Sequence, residues 1–319
     1  SIPLDSDNPN VTAVLAALEQ AGNALPGHLL RYRADAYQAY PDEMTTLARG
    51  EGYWLRLDQA STFSVRGKAA KQNVLIGLTD GWNLIGCPTD VPVLWAACSV
   101  SDGSQTKTVT EAGQTGWIQS TLLYHEPVSG YRLVIPGETG DDAYLRPCQG
   151  YWLRAFRHGL ILVVPPEGGA AGILDAGAET GSSLGIQITG QATATWSFRA
   201  AVDPAASDEL DALDLMAPPA APAGLAELRL TTTPDFQGPR IRDYREPPCG
   251  SDEVWEATAS LAGLGAGHCE QATMTWDLSN IGSYSYTLVD VTGQQNVDLS
   301  PGGQYLFRIC EGQDVSFEI

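Results

Sequence analysis

The chain has 319 residues, 43% of them hydrophobic, enough for about two to three cored domains and too many for a disordered chain. Only 18% are charged, yet the formal net charge is −20, a surface that repels nucleic acid and anionic membranes. No run of 18 or more apolar residues exists, so no helix of the sequence is expected to span a bilayer. With 34 Gly, 20 Pro and many Thr, Val and Tyr, the composition predicts an all-β, turn-rich protein.

The first predicted module is 1–70. Asp5-Ser6-Asp7-Asn8-Pro9-Asn10 is a turn and cap cluster, and residues 11–19 (VTAVLAALE) follow as a short amphipathic helix with Asn10 as N-cap. Strands are predicted at 28–33, 36–40, 52–57 and 62–66, the last two alternating apolar and polar residues. The second module is 71–166. It opens with a hairpin, 74–78 and 82–86, turned at Thr79-Asp80-Gly81; residues 93–98 replace the short helix, and strands follow at 117–125, 131–135, 150–154 and 160–164. Residues 167–180 (EGGAAGILDAGAET) have the composition of a linker. The third segment, 181–319, carries strands at 184–189, 194–200, 226–231, 255–261, 272–278, 285–289, 305–309 and 315–319. That pattern predicts a β-sandwich, interrupted at 208–222 by an acidic helical turn and a Pro-rich crossing loop.

The two modules are repeats. Gly52-Tyr53-Trp54-Leu55-Arg56 returns as Gly150-Tyr151-Trp152-Leu153-Arg154, and Ser1-Ile2-Pro3-Leu4-Asp5 matches Gly86-Cys87-Pro88-Thr89-Asp90. The second copy is preceded by Gly81-Trp82-Asn83-Leu84-Ile85, and the first has no counterpart. These residues resemble a repeat of secreted and surface proteins of environmental bacteria, with a GWNL(I/V)-G/S-x-P opening and a GYW turn into a strand. Segment 181–319 is similar to the Ig-like β-sandwich that ends such proteins, on its W-x-F-x-A strand at Trp196 to Ala200, its D-x-x-D-x-x-x-P-P segment and Thr275-Trp276. The resemblance implies non-enzymatic modules at the cell surface. The chain departs from it where module 1 lacks GWNL and where Cys148 replaces the turn glycine, Gly50 in module 1. Trp54, Trp82 and Trp152 are expected as core anchors of the repeat. A carbohydrate-stacking platform is the alternative, although alternation lets at most one ring of each Tyr-Trp pair face outward.

Six cysteines, Cys87, Cys98, Cys148, Cys249, Cys269 and Cys310, form no CxxC and have no zinc spacing to histidine. In a β-rich, Lys-poor chain they predict disulfides and an extracellular setting, against buried thiols as the alternative. Three fall in module 2 and three in segment 181–319, which leaves one over in each and any of 15 connectivities open. Ser1 in place of an initiator Met marks a processed end or a truncated segment.

Catalytic motifs are absent: no Walker A, HExxH, or GxGxxG after a strand. Gly181-Ser182-Ser183-Leu184-Gly185 fits GxSxG, but a nucleophile elbow needs a strand before it and a helix after it. His28, His125, His158 and His268 are dispersed. No cofactor is expected. Two acidic clusters are weak Ca²⁺ candidates. In one, Asp5, Asp7 and Asn8 cluster; in the other, Asp208, Asp211 and Asp214 would share one helix face; a solvated acidic turn is the plainer account. Asn10-Val11-Thr12 is a glycosylation sequon.

A module without its GWNL strand exposes a sheet edge, and an open edge is a template for another chain. The sequence therefore predicts a non-enzymatic extracellular subunit that assembles head to tail with copies of itself into a filament. The acceptor would be Ser1, Ile2, Pro3 and Leu4. The donor would be the alternating segment Val315, Ser316, Phe317, Glu318 and Ile319. Two other accounts stay open: GWNL-like residues upstream of Ser1, cut away or still bound, and a carbohydrate- or surface-binding adhesion module.

Overall fold

The computed structural model describes residues 2–5, 8–62, 64–127, 129–166, 182–234, 238–248 and 252–319. The expected linker 167–180, the acceptor position Ser1, Asp7 of the first acidic cluster, Gly181 and Cys249 lie outside them. The fold is all-β, with the chain in two compact units: Ser1–His125 with Arg132–Ala176, and Glu126–Tyr131 with Gly177–Ile319.

Both repeats lie in the first unit. Helix α1, Val11–Gln20, starts where Asn10 accepts a hydrogen bond from the Thr12 amide at 3.0 Å. Its face of Val11, Leu15 and Leu18 is buried against Ile2, Leu25, Leu29, Met44 and Leu47. The module 1 sheet orders Ala36–Ala39, Leu29–Arg33 and Trp54–Leu55; the module 2 sheet orders Gly130–Val134, Leu122–Glu126, Gly150–Ala155 and then Gly81–Gly86. Module 2 adds a second sheet, Val74–Leu78, Leu160–Val164, Ser99–Ser101 and Thr106–Thr108, around a core that includes Trp95 and Trp117. At the position of α1, module 2 has a short strand, Val93–Leu94, and a 3-10 turn, Trp95–Ala97. Helix α2, Val109–Gln114, is unanticipated by the strand pattern; its Thr108–Glu111 capping box is the signal that marks it.

The repeat extends to hydrogen bonds. Leu47-Ala48-Arg49-Gly50-Glu51 and Leu145-Arg146-Pro147-Cys148-Gln149 make the same turn into GYWLR. The Tyr53 hydroxyl accepts from the Ala48 amide at 2.7 Å, and the Tyr151 hydroxyl accepts from the Arg146 amide at 2.7 Å. Gly50 (φ +81°) and Cys148 (φ +65°) hold the same left-handed position.

The module 1 sheet has three strands among the described residues, and the Gly81–Gly86 strand of module 2 borders it. Gly81–Gly86 runs in register with Gly150–Ala155 on one edge, Gly150 opposite Gly86 and Ala155 opposite Gly81. Its other edge takes module 1. The Gly52 amide donates to the Leu84 carbonyl at 2.9 Å, and the Gly86 amide donates to the Gly50 carbonyl at 2.9 Å. Asp5 and Lys68 exchange both backbone hydrogen bonds, at 3.0 and 2.9 Å, and Ile2 enters the module 1 core with Pro3 also buried. Of the expected acceptor residues, Ile2 and Pro3 are buried in the chain's own packing and Leu4 is half-buried. A strand has two hydrogen-bonding edges, so one GWNL segment serves two GYWLR segments.

In the second unit one ladder runs Gln295–Val297, Leu288–Asp290, Val315–Glu318, Glu256–Ala262, Glu227–Thr232, Arg240–Arg245, Trp196–Val202, Ser182–Thr189, Cys269–Asp277 and Gln304–Cys310, with Leu215–Met216 alongside Arg240–Arg245. The faces expected of a sandwich are joined into one near-barrel sheet. Its Trp196–Val202 and Arg240–Arg245 strands pair in parallel. The expected donor segment lies inside this sheet. Val315, Ser316, Phe317 and Glu318 pair with Glu256–Ala262 on one edge, and Phe317 and Glu318 with Leu288–Asp290 on the other. Ile319 and Trp255 exchange two backbone hydrogen bonds at 3.0 Å, and Val315, Phe317 and Ile319 are buried. The alternation that made this segment look like a free donor is that of an interior strand with one buried face.

Candidate ligand groove

The second unit is organised around buried charge. Arg240 donates to Asp214 at 2.9 Å and to Asp243 at 3.1 Å, all three side chains being inaccessible to solvent. Arg245 continues the network to Asp243 at 3.1 Å and to Glu253. Thr232 donates its hydroxyl to Asp243 at 3.0 Å. Desolvation, only partly offset by the backbone amides and by Arg240, pushes the Asp214 carboxyl up to about 7. The network anchors Trp255: its indole N–H donates to the Asp243 carbonyl at 3.2 Å, and the Arg245 guanidinium lies 5.1 Å from its ring centre.

Trp255 forms part of the wall of a groove of about 480 Å³. Tyr286 stands 6.2 Å from the Trp255 ring at an interplanar angle of 35°, held by donating its hydroxyl to the Ser182 carbonyl at 3.0 Å. Burial pushes the Tyr286 phenol up to about 12, so it stays protonated. Tyr284 is 36% exposed at the mouth. The hydroxyl residues Ser283, Ser285 and Thr287 and the carboxylate residues Asp252, Glu253 and Glu318 complete the lining. Past exposed Val254 lies a second depression of about 350 Å³, lined by Asp208, Glu253 and Glu256 among others. Glu256 and Glu318 are exposed and directly opposed on neighbouring strands, a like-charge pair that costs stability. Aromatic surface beside hydroxyls and carboxylates is the equipment of a polar-ligand site, with apolar contact on one side and directed hydrogen bonds on the other.

The helix expected to align Asp208, Asp211 and Asp214 does not form. The segment forms bends rather than a helix, so the i, i+3, i+6 spacing does not align the three carboxylates. Asp214 accepts from Arg240 and from the amides of Tyr244 and Asp211. Asp211 accepts from the amides of Ser207 and Leu213, while Asp208 lines the second depression. No group of three His, Cys, Asp or Glu residues arranged for a metal occurs among the described residues. Ser182 and Ser183 open a strand, Ser182–Thr189, with no helix behind them.

Trp152 and Trp82 are buried and Trp54 half-buried. Trp152 packs edge-on against Tyr32 at 4.9 Å and Trp82 at 6.2 Å, so the repeat tryptophans join the two modules of the first unit. Cys269 and Cys310 form a disulfide between facing strand positions; Cys87 and Cys98 are buried thiols, and Cys148 is an exposed one. The groove was missed from sequence because Trp255, Tyr284 and Tyr286 looked like ordinary alternating strand residues. The signal available was the charge-rich Arg240-Ile241-Arg242-Asp243-Tyr244-Arg245 strand, which needs a buried network to exist. No family model matches the chain, and neither a curated protein nor a solved structure shows significant similarity to it.

Proposed function

We propose that the chain is a non-enzymatic extracellular binding protein that holds a saccharide in the groove of its second unit. The observation that carries this reading is exposed Tyr284 and half-buried Tyr286, backed by buried Trp255, among hydroxyls and carboxylates. Sugars present apolar C–H faces to aromatic rings and hydroxyls to carboxylates, which the lining matches. The setting is supported by the Cys269–Cys310 disulfide, which suggests a non-cytoplasmic protein, and by the resemblance of the GWNL and GYW segments to surface repeats. No helix among the described residues is long and apolar enough to cross a membrane. Calorimetric titration of the full chain with a panel of neutral and amino-sugar oligosaccharides tests the proposal. Binding lost in Tyr284→Ala is expected; binding unchanged in that variant, or no binding across the panel, refutes it.

A second reading keeps the assembling structural subunit but moves its joint. Val74–Leu78 is an edge strand of its sheet, and Leu75 on it is 64% exposed. A neighbouring copy would add a strand there. Native size measurement separates the two: polymers that dissolve with Leu75→Lys favour assembly, and a monomer that binds sugar favours the groove.

A further inference from the structure

The two repeats differ at one core position and one turn position at once. Module 1 has Ile2 in its core and Gly50 at the left-handed turn; module 2 has Cys87 and Cys148 at the matching places. A left-handed backbone suits glycine and is rarely adopted by other residues, so Cys148 occupies a position where the sibling repeat uses the unstrained residue. Its presence calls for a reason in its side chain.

The backbone brings that side chain to Cys87. Gly150 faces Gly86 in the antiparallel ladder, and the Cys87 amide donates to the Gln149 carbonyl at 3.5 Å. Cys148 therefore adjoins Gln149, the residue facing Cys87, and its sulfur lies within electrostatic reach of the Cys87 thiol. The Cys87 thiol points into the same turn: its sulfur lies 3.7 Å from the carbonyl oxygen of Leu145 and 3.2 Å from the Thr89 hydroxyl. Cys98 is in the same core, as buried as Cys87 and within electrostatic reach of it, but its sulfur faces the Leu94 carbonyl rather than the Leu145 carbonyl of the turn. A disulfide already present in the second unit indicates that the chain meets oxidising conditions.

We propose that Cys87 and Cys148 form a second disulfide, which ties the start of module 2 to its GYWLR turn. Exposed Cys148, as thiolate, attacks a small-molecule disulfide such as oxidised glutathione and releases one thiol. Cys87 loses its proton and attacks the mixed disulfide at the Cys148 sulfur, releasing the second. Two protein thiols are oxidised and one small disulfide is reduced. Burial raises the Cys87 thiol above its usual range, which makes this second step the slow one.

The full chain, refolded in a glutathione redox buffer, alkylated and digested, is analysed by mass spectrometry. The expected result is a linked Cys87–Cys148 peptide, two hydrogens lighter than the pair of thiol peptides, beside the Cys269–Cys310 link. Alkylation of both Cys87 and Cys148, or a link from either to Cys98 or Cys249, overturns the proposal. Cys148→Gly restores the residue that module 1 uses, so the turn keeps its conformation; Cys87 should then become alkylated once the chain is unfolded. Cys98→Ala should leave the link intact, and its loss in that variant also counts against the pairing.

Discussion

The shared strand makes Gly52→Ala and Gly150→Ala an unequal pair of substitutions, although both glycines open the same GYWLR motif. A Cβ on Gly52 would sit 2.6 Å from the Ile85 carbonyl oxygen and 2.8 Å from the Leu84 side chain. The first of these is backbone and cannot swing away, so the strand must shift, and the Gly52–Leu84 and Gly86–Gly50 hydrogen bonds lengthen with it. Overpacking of this kind costs about 1–3 kcal/mol, and each weakened hydrogen bond adds about 0.5–1.5 kcal/mol. A Cβ on Gly150 meets nothing closer than 3.7 Å, an ordinary contact. Restricting the unfolded chain then makes Gly150→Ala neutral or stabilising by up to about 1 kcal/mol. Amide hydrogen exchange at Gly52 and Gly86 measures the effect where it arises, with roughly tenfold faster exchange for every 1.4 kcal/mol lost. Equal effects from the two variants, or exchange at Gly86 untouched by Gly52→Ala, would show that module 1 does not lean on the GWNL strand.

The Cys269–Cys310 bond closes 41 residues of chain, so replacing both cysteines with alanine should lower stability of the second unit by about 4 kcal/mol in urea melts. Asp214→Ala leaves buried Arg240 short of one carboxylate and should cost about 3 kcal/mol; near-wild-type stability would mean that the charge network is dispensable. The Asp214 carboxyl rises from its ordinary 3.8 to about 7 on folding, so the folded state holds that proton more tightly than the unfolded one. Its contribution is most favourable below 3.8 and is lost as pH rises toward 7, and Asp214→Asn should flatten that slope in a pH series of melts. Glu256→Lys turns the like-charge pair with Glu318 into an attractive one and should stabilise by about 0.2–1 kcal/mol, an effect that salt should weaken.

The parts of the fold written in local pattern were legible. The Asn10 cap, the helix face of Val11, Leu15 and Leu18, and the repeated GYWLR strands follow from periodicity and capping chemistry alone. What depended on pairing partners was not. Nothing in Gly81–Gly86 says that both its edges are used, and nothing in Val315–Glu318 says that it lies inside a sheet. The hydrogen bonds between residues 50–52 and 84–86 were hidden because their nearness depends on how the modules fold together. The groove was hidden for the same reason: Trp255 and Tyr286 are separated by thirty residues of chain that carry no shared motif.

The position of Val315–Glu318 sets a schedule for making the protein. This strand is the last in chain order, yet it divides Leu288–Asp290 from Glu256–Ala262 and supplies the hydrogen bonds that join them. As a chain emerges from the ribosome, the second unit therefore has a gap in its middle until residues 315–318 have emerged. Pairing of such distant segments is slow, since loop closure precedes its reward. Early termination by even one strand would leave two raw edges in the centre of the sheet and mark the product for proteolysis.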